Sequence, residues 1–378
     1  MSSRFRKELT TVPSVRIGVH SRGLSTTIDW GERSAMTAQG GRTLSQIGDP
    51  RLSGPLPTDR FLIPGTRKDY GGGDVSDMTS PGLDRFKELL AAARQRQRDI
   101  KADINKAKWQ LRLAWTAKAL CWVSLACIAP PIRKQTSNAI AVRRSEVATL
   151  GGNLEATRIS VNFDMESEIA EPHRRLLTAF DRLAASQRSW NVETEQKIDR
   201  VKARSWAGIV VSRAAAFLGR FAVPLVDTQD MPLAMEVLRG KAIAYFYPGF
   251  VLVDNKHGGD FALIDVIELG IEFAATGFTE SEAPPSDAKL IGTTWAKANK
   301  NGSRDRRFAN NRELPILRYG SLSISSGGGM NEVFMFSDAE ATASFAEALN
   351  DVKRLLARSR NRRTKDTLAN QRLLDQPH

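Results

Sequence analysis

Leu83, Phe86, Leu90, Ala93, Gln97, Ile100, Ile104, Ala107, Leu111 and Ala114 follow one another at spacings of three and four without a break. A stripe of that period runs down one face of an α-helix, and over this length it is a coiled-coil seam, with Gln97 as its one polar interruption. The stretch "APPIRK" must end the helix, because Pro130 and Pro131 lack the amide hydrogen and clash with the preceding turn. Ile140, Val147, Leu150 and Leu154 then form a second stripe. The pattern predicts an antiparallel helical hairpin with its bend near Pro130 and Pro131.

The flanking sequence has another character. In residues 1–82, "VRIGVH" alternates apolar and polar side chains, "SRG" is a turn and "LSTTIDW" is a returning strand. The rest, up to "DYGGGDVSDMTSPG", is rich in Gly, Ser, Pro and Asp and predicts loops and a linker. After the hairpin, Ile159, Val161, Phe163 and Met165 switch to a period of two, a short strand. Leu176, Phe180, Leu183, Gln187 and Trp190 restore the helical period, so Glu166 to about Arg204 is expected to form an amphipathic helix or pair. From Pro232 the chain turns to strands. "AIAYFYPGFVLVD" breaks at Pro248-Gly249, and "FALIDV", "LGIEFAAT", "AKLIGTTW", "ILRYGSLSIS" and "EVFMF" complete a set of seven. Ser337 and Glu340 have the spacing of a capping box, and Phe345, Leu349, Val352 and Leu356 make the buried stripe of a last helix. The expected fold is α+β and multidomain: a β-module over 1–82, a helical coiled-coil region over 83–205, a PH-like β-barrel or roll with a C-terminal helix over 206–357, and a basic tail over 358–378.

With 41% hydrophobic and 26% charged residues, the chain has the composition of a folded protein. Its net charge of +13 favours acidic partners: nucleic acid, an anionic membrane surface or an acidic protein. The excess is concentrated. Residues 83–134 hold 12 basic and 4 acidic residues, and residues 353–378 hold 8 and 2. Cys121 and Cys127 share one apolar run with no second cluster, so neither a disulfide framework nor a zinc site is expected, and a reducing, cytoplasmic compartment fits. "MSSRFRKELTTVPS" lacks the apolar core of a secretory signal. Leu113–Ile132 carries only Lys118, and its roughly 20 residues match the length of a membrane span. The preferred reading is a buried helix end before a turn, with contact at a membrane surface as the alternative.

"RFRKELTTVPSVRIGVHSRGLSTTID", Arg4 to Asp29, resembles a bacterial domain family of unknown function. Its members open with an Arg-Phe-Arg-Lys run, a Pro-Gly-Val-Arg-Leu-Asn-like strand and a Ser-Lys-Ser-Gly-like turn. Here Ser14 replaces the glycine and Arg22-Gly23 makes the turn, while the glycine-rich end of the motif survives only as "IPGTRKDYGGG". The C-terminal part is similar to domains that follow such modules, through "YFYPGFVLV", "GTTW", "DRRFANNRELP" and "GMNE". The resemblance implies an architecture and a bacterial origin and brings no activity, cofactor or mechanism.

No catalytic template fits. His20, His173, His257 and His378 lie in neither an HExxH nor a GxSxG context, and "SSGGGMNE" lacks the Lys-Ser/Thr of a P-loop and reads as a hairpin turn. Asp265, Asp287 and Lys289 are compatible with a metal-dependent nuclease, although Pro284-Pro285 places Asp287 in a loop. No other metal set and no cofactor motif is present.

Three basic segments invite a binding role. In "WAKANKNGSRDRRFANNRELP", Arg304, Arg306, Arg307 and Arg312 are candidates for a phosphate or carboxylate, with Trp295 or Phe308 stacking on a ring. The favoured alternative is structural: Asp305 and Glu313 offer these arginines local partners. In the tail, Arg358, Arg360, Arg362, Arg363 and Lys365 suit nucleic acid or an anionic surface, as does the basic helix from Arg94 to Arg112. The expected function is a non-catalytic adaptor or scaffold that binds a protein partner or acidic ligand through the PH-like domain and the helical hairpin, with the heptads serving self-association or docking. Nucleic-acid binding is the first rival and the nuclease the second.

Overall fold

The computed structural model describes the backbone of residues 14–20, 23–29, 52–53, 62–123, 130–165, 167–223, 225–228, 230–256 and 259–374. Side-chain surroundings are described from residue 62 on, except at 121–136, 164, 166–167, 224, 229, 257–258, 359 and 361–378. Strands β1 (Ser14–His20) and β2 (Gly23–Asp29) are followed by the two-residue strands β3 (Leu52–Ser53) and β4 (Lys68–Asp69). Helices α1 (Asp84–Val123) and α2 (Pro130–Glu155) come next, then β5 (Ile159–Met165) and α3 (Ser167–Ala184). Strand β6 (Ser189–Lys197), the single turn α4 (Arg200–Ala203), β7 (Ile209–Ala215), β8 (Leu218–Arg220) and β9 (Val226–Asp227) follow. Then come β10 (Leu233–Val237), β11 (Ala242–Tyr247), β12 (Phe250–Asn255) and β13 (Phe261–Asp265). The last elements are β14 (Gly270–Thr279), β15 (Lys289–Trp295), β16 (Glu313–Ser325), β17 (Asn331–Phe336) and α5 (Ala339–Leu374).

The molecule is mixed α+β with several sheets. One has the order β2-β1-β5-β9 and another the order β13-β12-β11-β10-β8. The largest runs β14-β3-β7-β6-β17-β16-β15, and β14 also lies along β16. It curls so far that β7 and β14 are joined through the two residues of β3, but no continuous ladder closes it into a barrel. The seven strands expected after Pro232 all form, as β11 to β17.

Two cores result. The larger gathers the inner face of β10–β13, the root of α1, α3 and α5. Phe345, Leu349, Val352 and Leu356 are each at most 2% exposed, at the spacing the sequence shows. Each such side chain contributes roughly 1.5–3 kcal/mol of burial. Phe180 of α3 meets Phe345 of α5 with ring centroids 5.6 Å apart. The smaller core lies within the curled sheet, around Trp190, Phe278, Leu317, Tyr319 and Met335.

Three expectations need correction. Residues 189–197 are strand, not helix: α3 stops at Ala184, and Trp190 and Val192 turn into the smaller core while β6 pairs with β7 and β17. The four-then-three spacing that carried the helical reading through Gln187 and Trp190 is coincidental. The last helix is capped by Asp338, whose carboxylate accepts from the Glu340 and Ala341 amides at 2.9 and 2.8 Å. Ser337 instead donates to Asp287 at 2.8 Å and accepts from the Arg188 amide. Finally, residues 358–374 continue α5 rather than forming a separate tail.

Ladders also cross the boundaries expected at 82/83 and 205/206. β1 pairs in parallel with β5, β4 pairs with β6, and β3 bridges β7 and β14.

Candidate functional site

The loop from Trp295 to Pro315 is built around Asp305, which is 2% exposed. Arg307 grips its carboxylate side-on, through Nε and Nη2 at 2.9 Å each, and the Arg307 amide donates at 3.2 Å. Arg204 adds a third contact. The Arg307 side chain first, then its amide and Arg204, hold the Asp305 carboxyl well below the usual carboxylate range despite burial. Asn311 ties the loop's two sides together: its Oδ1 accepts from the Lys297 amide at 2.9 Å, and its Nδ2 donates to the Lys297 carbonyl at 2.6 Å. Arg304 lies over the Trp295 ring at 5.2 Å and donates to the Ala309 carbonyl at 3.3 Å. Arg204 covers the Phe308 ring at 5.4 Å, and Arg312 donates to the Ser281 carbonyl at 3.0 Å. The structure therefore brings all six candidate residues into one loop but commits five of them to holding its shape. Arg306 is exposed and makes no ion pair with a described residue. Arg204 has no local sequence signal, since 101 positions separate it from Asp305.

The other candidates scatter. Arg360 is docked on Asp265, whose other oxygen accepts from the Ile267 amide at 2.9 Å. Asp287 accepts from the Gln187 amide at 2.7 Å and from Ser337. Both carboxylates proposed for a nuclease thus hold separate turns, and no group of three or more metal-ligating side chains occurs among the described residues. Arg358 lines a cleft of about 570 Å³ between α3 and α5, where Arg354 is paired with Asp351 and Arg175 with Glu171. The side chains of Arg362, Arg363 and Lys365 lie outside the described residues.

A buried network was not legible in the sequence. Arg213 and Glu280, 7% and 1% exposed, are joined at 2.9 Å, and Tyr319 donates to Glu280 at 2.8 Å. The guanidinium sits between the Trp190 and Phe278 rings, 4.0 and 4.2 Å from their centroids. Burial raises the Glu280 pKa, but the bonds from Arg213, the Glu282 amide and Tyr319 outweigh it and leave the group below its ordinary value. Burial pushes the Tyr319 hydroxyl far up. This cluster locks the smaller core.

No protein-family model, curated protein or solved structure matches the chain. The site must be found from geometry alone, and the geometry singles out the hairpin. Its root is fastened to the body: Phe86 packs edge-on to Phe250 at 5.5 Å, and Arg94 reaches Asp254 at 2.7 Å and lies over Phe261. Arg94 and Arg98 both donate to the Gly259 carbonyl. The basic helix is thus partly committed to anchoring. Beyond Arg98, 25 residues of α1, roughly 37 Å of helix, have α2 as their one substantial packing partner among the described residues.

Along the arm the predicted stripe faces that partner, with Ile104 and Ala107 of α1 and Ile140 of α2 buried, while Leu90 nearer the root joins the larger core of the body. On the opposite side of α1, Trp109, Leu113 and Leu120 are 62, 50 and 69% exposed. Their spacing of four and seven puts them on one line, and Trp115 and Val142 add to the exposed apolar area. This second stripe is visible in the sequence once the first is assigned. The reading of Leu113–Ile132 as a buried helix end is corrected for residues 113–120, most of which face outward. No helix among the described residues is long and apolar enough to cross a membrane.

Proposed function

We propose that the protein is a non-catalytic adaptor whose helical hairpin docks an acidic partner while the α+β body anchors it. The observation that carries this is the second apolar line on α1, Trp109, Leu113 and Leu120, opposite the seam with α2. A helix apolar on two sides is stable where both are covered, and α2 covers only one. Lys106 and Arg112 flank the outward line, which suits a partner carrying negative charge. In this reading the strands around β16 with α5 form a PH-like module in a reducing, cytoplasmic setting. The N-terminal resemblance supports a bacterial origin.

The test is comparative capture from cells that make the protein. The wild type is expected to retain a binding partner after nuclease treatment, and a Trp109→Ser, Leu113→Gln, Leu120→Gln variant is expected to lose it by about tenfold or more. Equal capture by the two would contradict the proposal. Loss of everything on nuclease treatment, with DNA or RNA recovered, would favour the nucleic-acid reading.

A further inference from the structure

We infer that the outward face of the hairpin binds an anionic lipid bilayer surface, peripherally and without spanning it. The inference rests on the docking reading above and names its partner. Three observations converge on the distal arm.

The first is charge. From Ile104 to Ser145 the sequence has 42 residues with eight Lys or Arg and no Asp or Glu. The acids of the hairpin, Asp84, Glu88, Asp99, Asp103, Glu146 and Glu155, all lie towards its root. Such a segment is repelled by a second copy of itself and drawn to a surface of phosphates.

The second is the type and place of the exposed apolar residues. Trp109, Leu113 and Leu120 form one line down α1, and Trp115 lies beside it with Lys118 over its ring at 5.5 Å. Tryptophan with lysine or arginine at its side is the composition of the membrane–water interface, where the indole sits at headgroup level and the cation reaches the phosphates. A nucleic-acid strand offers phosphates and ring faces but no apolar phase, whereas the line here is completed by the aliphatic Leu113 and Leu120, which a bilayer can bury.

The third is architecture. The apolar line lies on the part of α1 beyond its contacts with the body, so a flat surface can approach it. The helix is anchored at its other end by Phe86, Leu90 and Arg94, which fixes the direction of the arm relative to the sheets.

The experiment is co-sedimentation of the full chain with vesicles of phosphatidylcholine alone and of an equal mixture with phosphatidylglycerol. The wild type is expected to bind the anionic vesicles about a hundredfold or more tighter than the neutral ones, and to release with salt. A Lys106→Gln, Lys108→Gln, Arg112→Gln variant is expected to lose on the order of a hundredfold in affinity. The Trp109→Ser, Leu113→Gln, Leu120→Gln variant is expected to lose at least about tenfold. All six positions are exposed, so unchanged circular dichroism and melting temperature confirm that the variants fold.

Failure of the wild type to bind anionic vesicles overturns the inference. So does binding that both variants retain, which assigns the contact to another basic region. Arm-dependent retention of a nucleic acid or a protein, with no vesicle binding, sinks the lipid assignment but leaves the docking reading standing. If neither vesicles nor cell-derived partners depend on the arm, both fail.

Discussion

Glu332 is wholly buried, and its carboxylate accepts from Asn191 Nδ2 and from the Leu238 amide, both at 2.9 Å. The second bond holds a turn in which Leu238 and Arg239 both have φ of 54°, a left-handed conformation that costs free energy without support. Burial raises the Glu332 pKa above its ordinary 4.5, against the pull of those two donors. A carboxyl raised on folding favours the protonated native state. Its contribution is complete below pH 4.5 and is lost as pH rises through the folded value. We predict that Glu332→Gln removes this loss. Urea unfolding at pH 4.5 and at neutral pH should show stability changing more favourably over that interval in the variant than in the wild type, because the opposing contribution of His173, whose pKa burial lowers, is common to both. Turning over the Asn191 amide offers Oδ1, which has no hydrogen-bond partner, to the new amide. Asp305 and Glu280 act in the opposite sense: their lowered pKa values make contributions that are lost only as pH falls into the acid range. At this scale the sequence showed part of the answer. The structural role of Asp305 was readable, because its partner Arg307 is two residues away. The hold of Arg204 on Asp305 and of Asn191 on Glu332 was not, because local patterns say nothing about contacts 101 and 141 positions apart.

The hairpin is the element most legible in advance, since heptad spacing depends only on local geometry: Ile104, Ala107 and Ile140 are buried along the two helices, and Leu83, Phe86 and Leu90 continue the same stripe into the body core. β6 was the least legible: Trp190 continues a helical period by accident, and its strand state is decided by β7 and β17. If the distal arm is held by the seam, truncating a buried seam residue should loosen the arm and spare the body. Ile140→Ala is predicted to cost the hairpin about 2–4 kcal/mol. Hydrogen exchange should show protection falling in α2 and in α1 beyond Arg98, with β11 to β13 unchanged. Uniform loss across the molecule would mean that the arm and body unfold as one unit.

Across the whole molecule, chain order and spatial order diverge. The N-terminal strands enter sheets completed by residues far downstream, through β1 with β5 and β3 with β14. Parallel pairings of that kind leave no turn signal in the sequence, so an independent N-terminal module was the natural local reading. The charge distribution, by contrast, was readable directly, and one of its two basic clusters falls on the hairpin, which leaves the body beyond Arg98. The account stands or falls on what the outward face of α1 touches in the cell. A photo-crosslinking amino acid placed at 113, and separately at 306 on the arginine loop, tests this directly. The account predicts efficient crosslinks from 113, to lipid if the further inference holds, and few from 306. Crosslinks from 306 with none from 113 would contradict it and move the binding site to the loop.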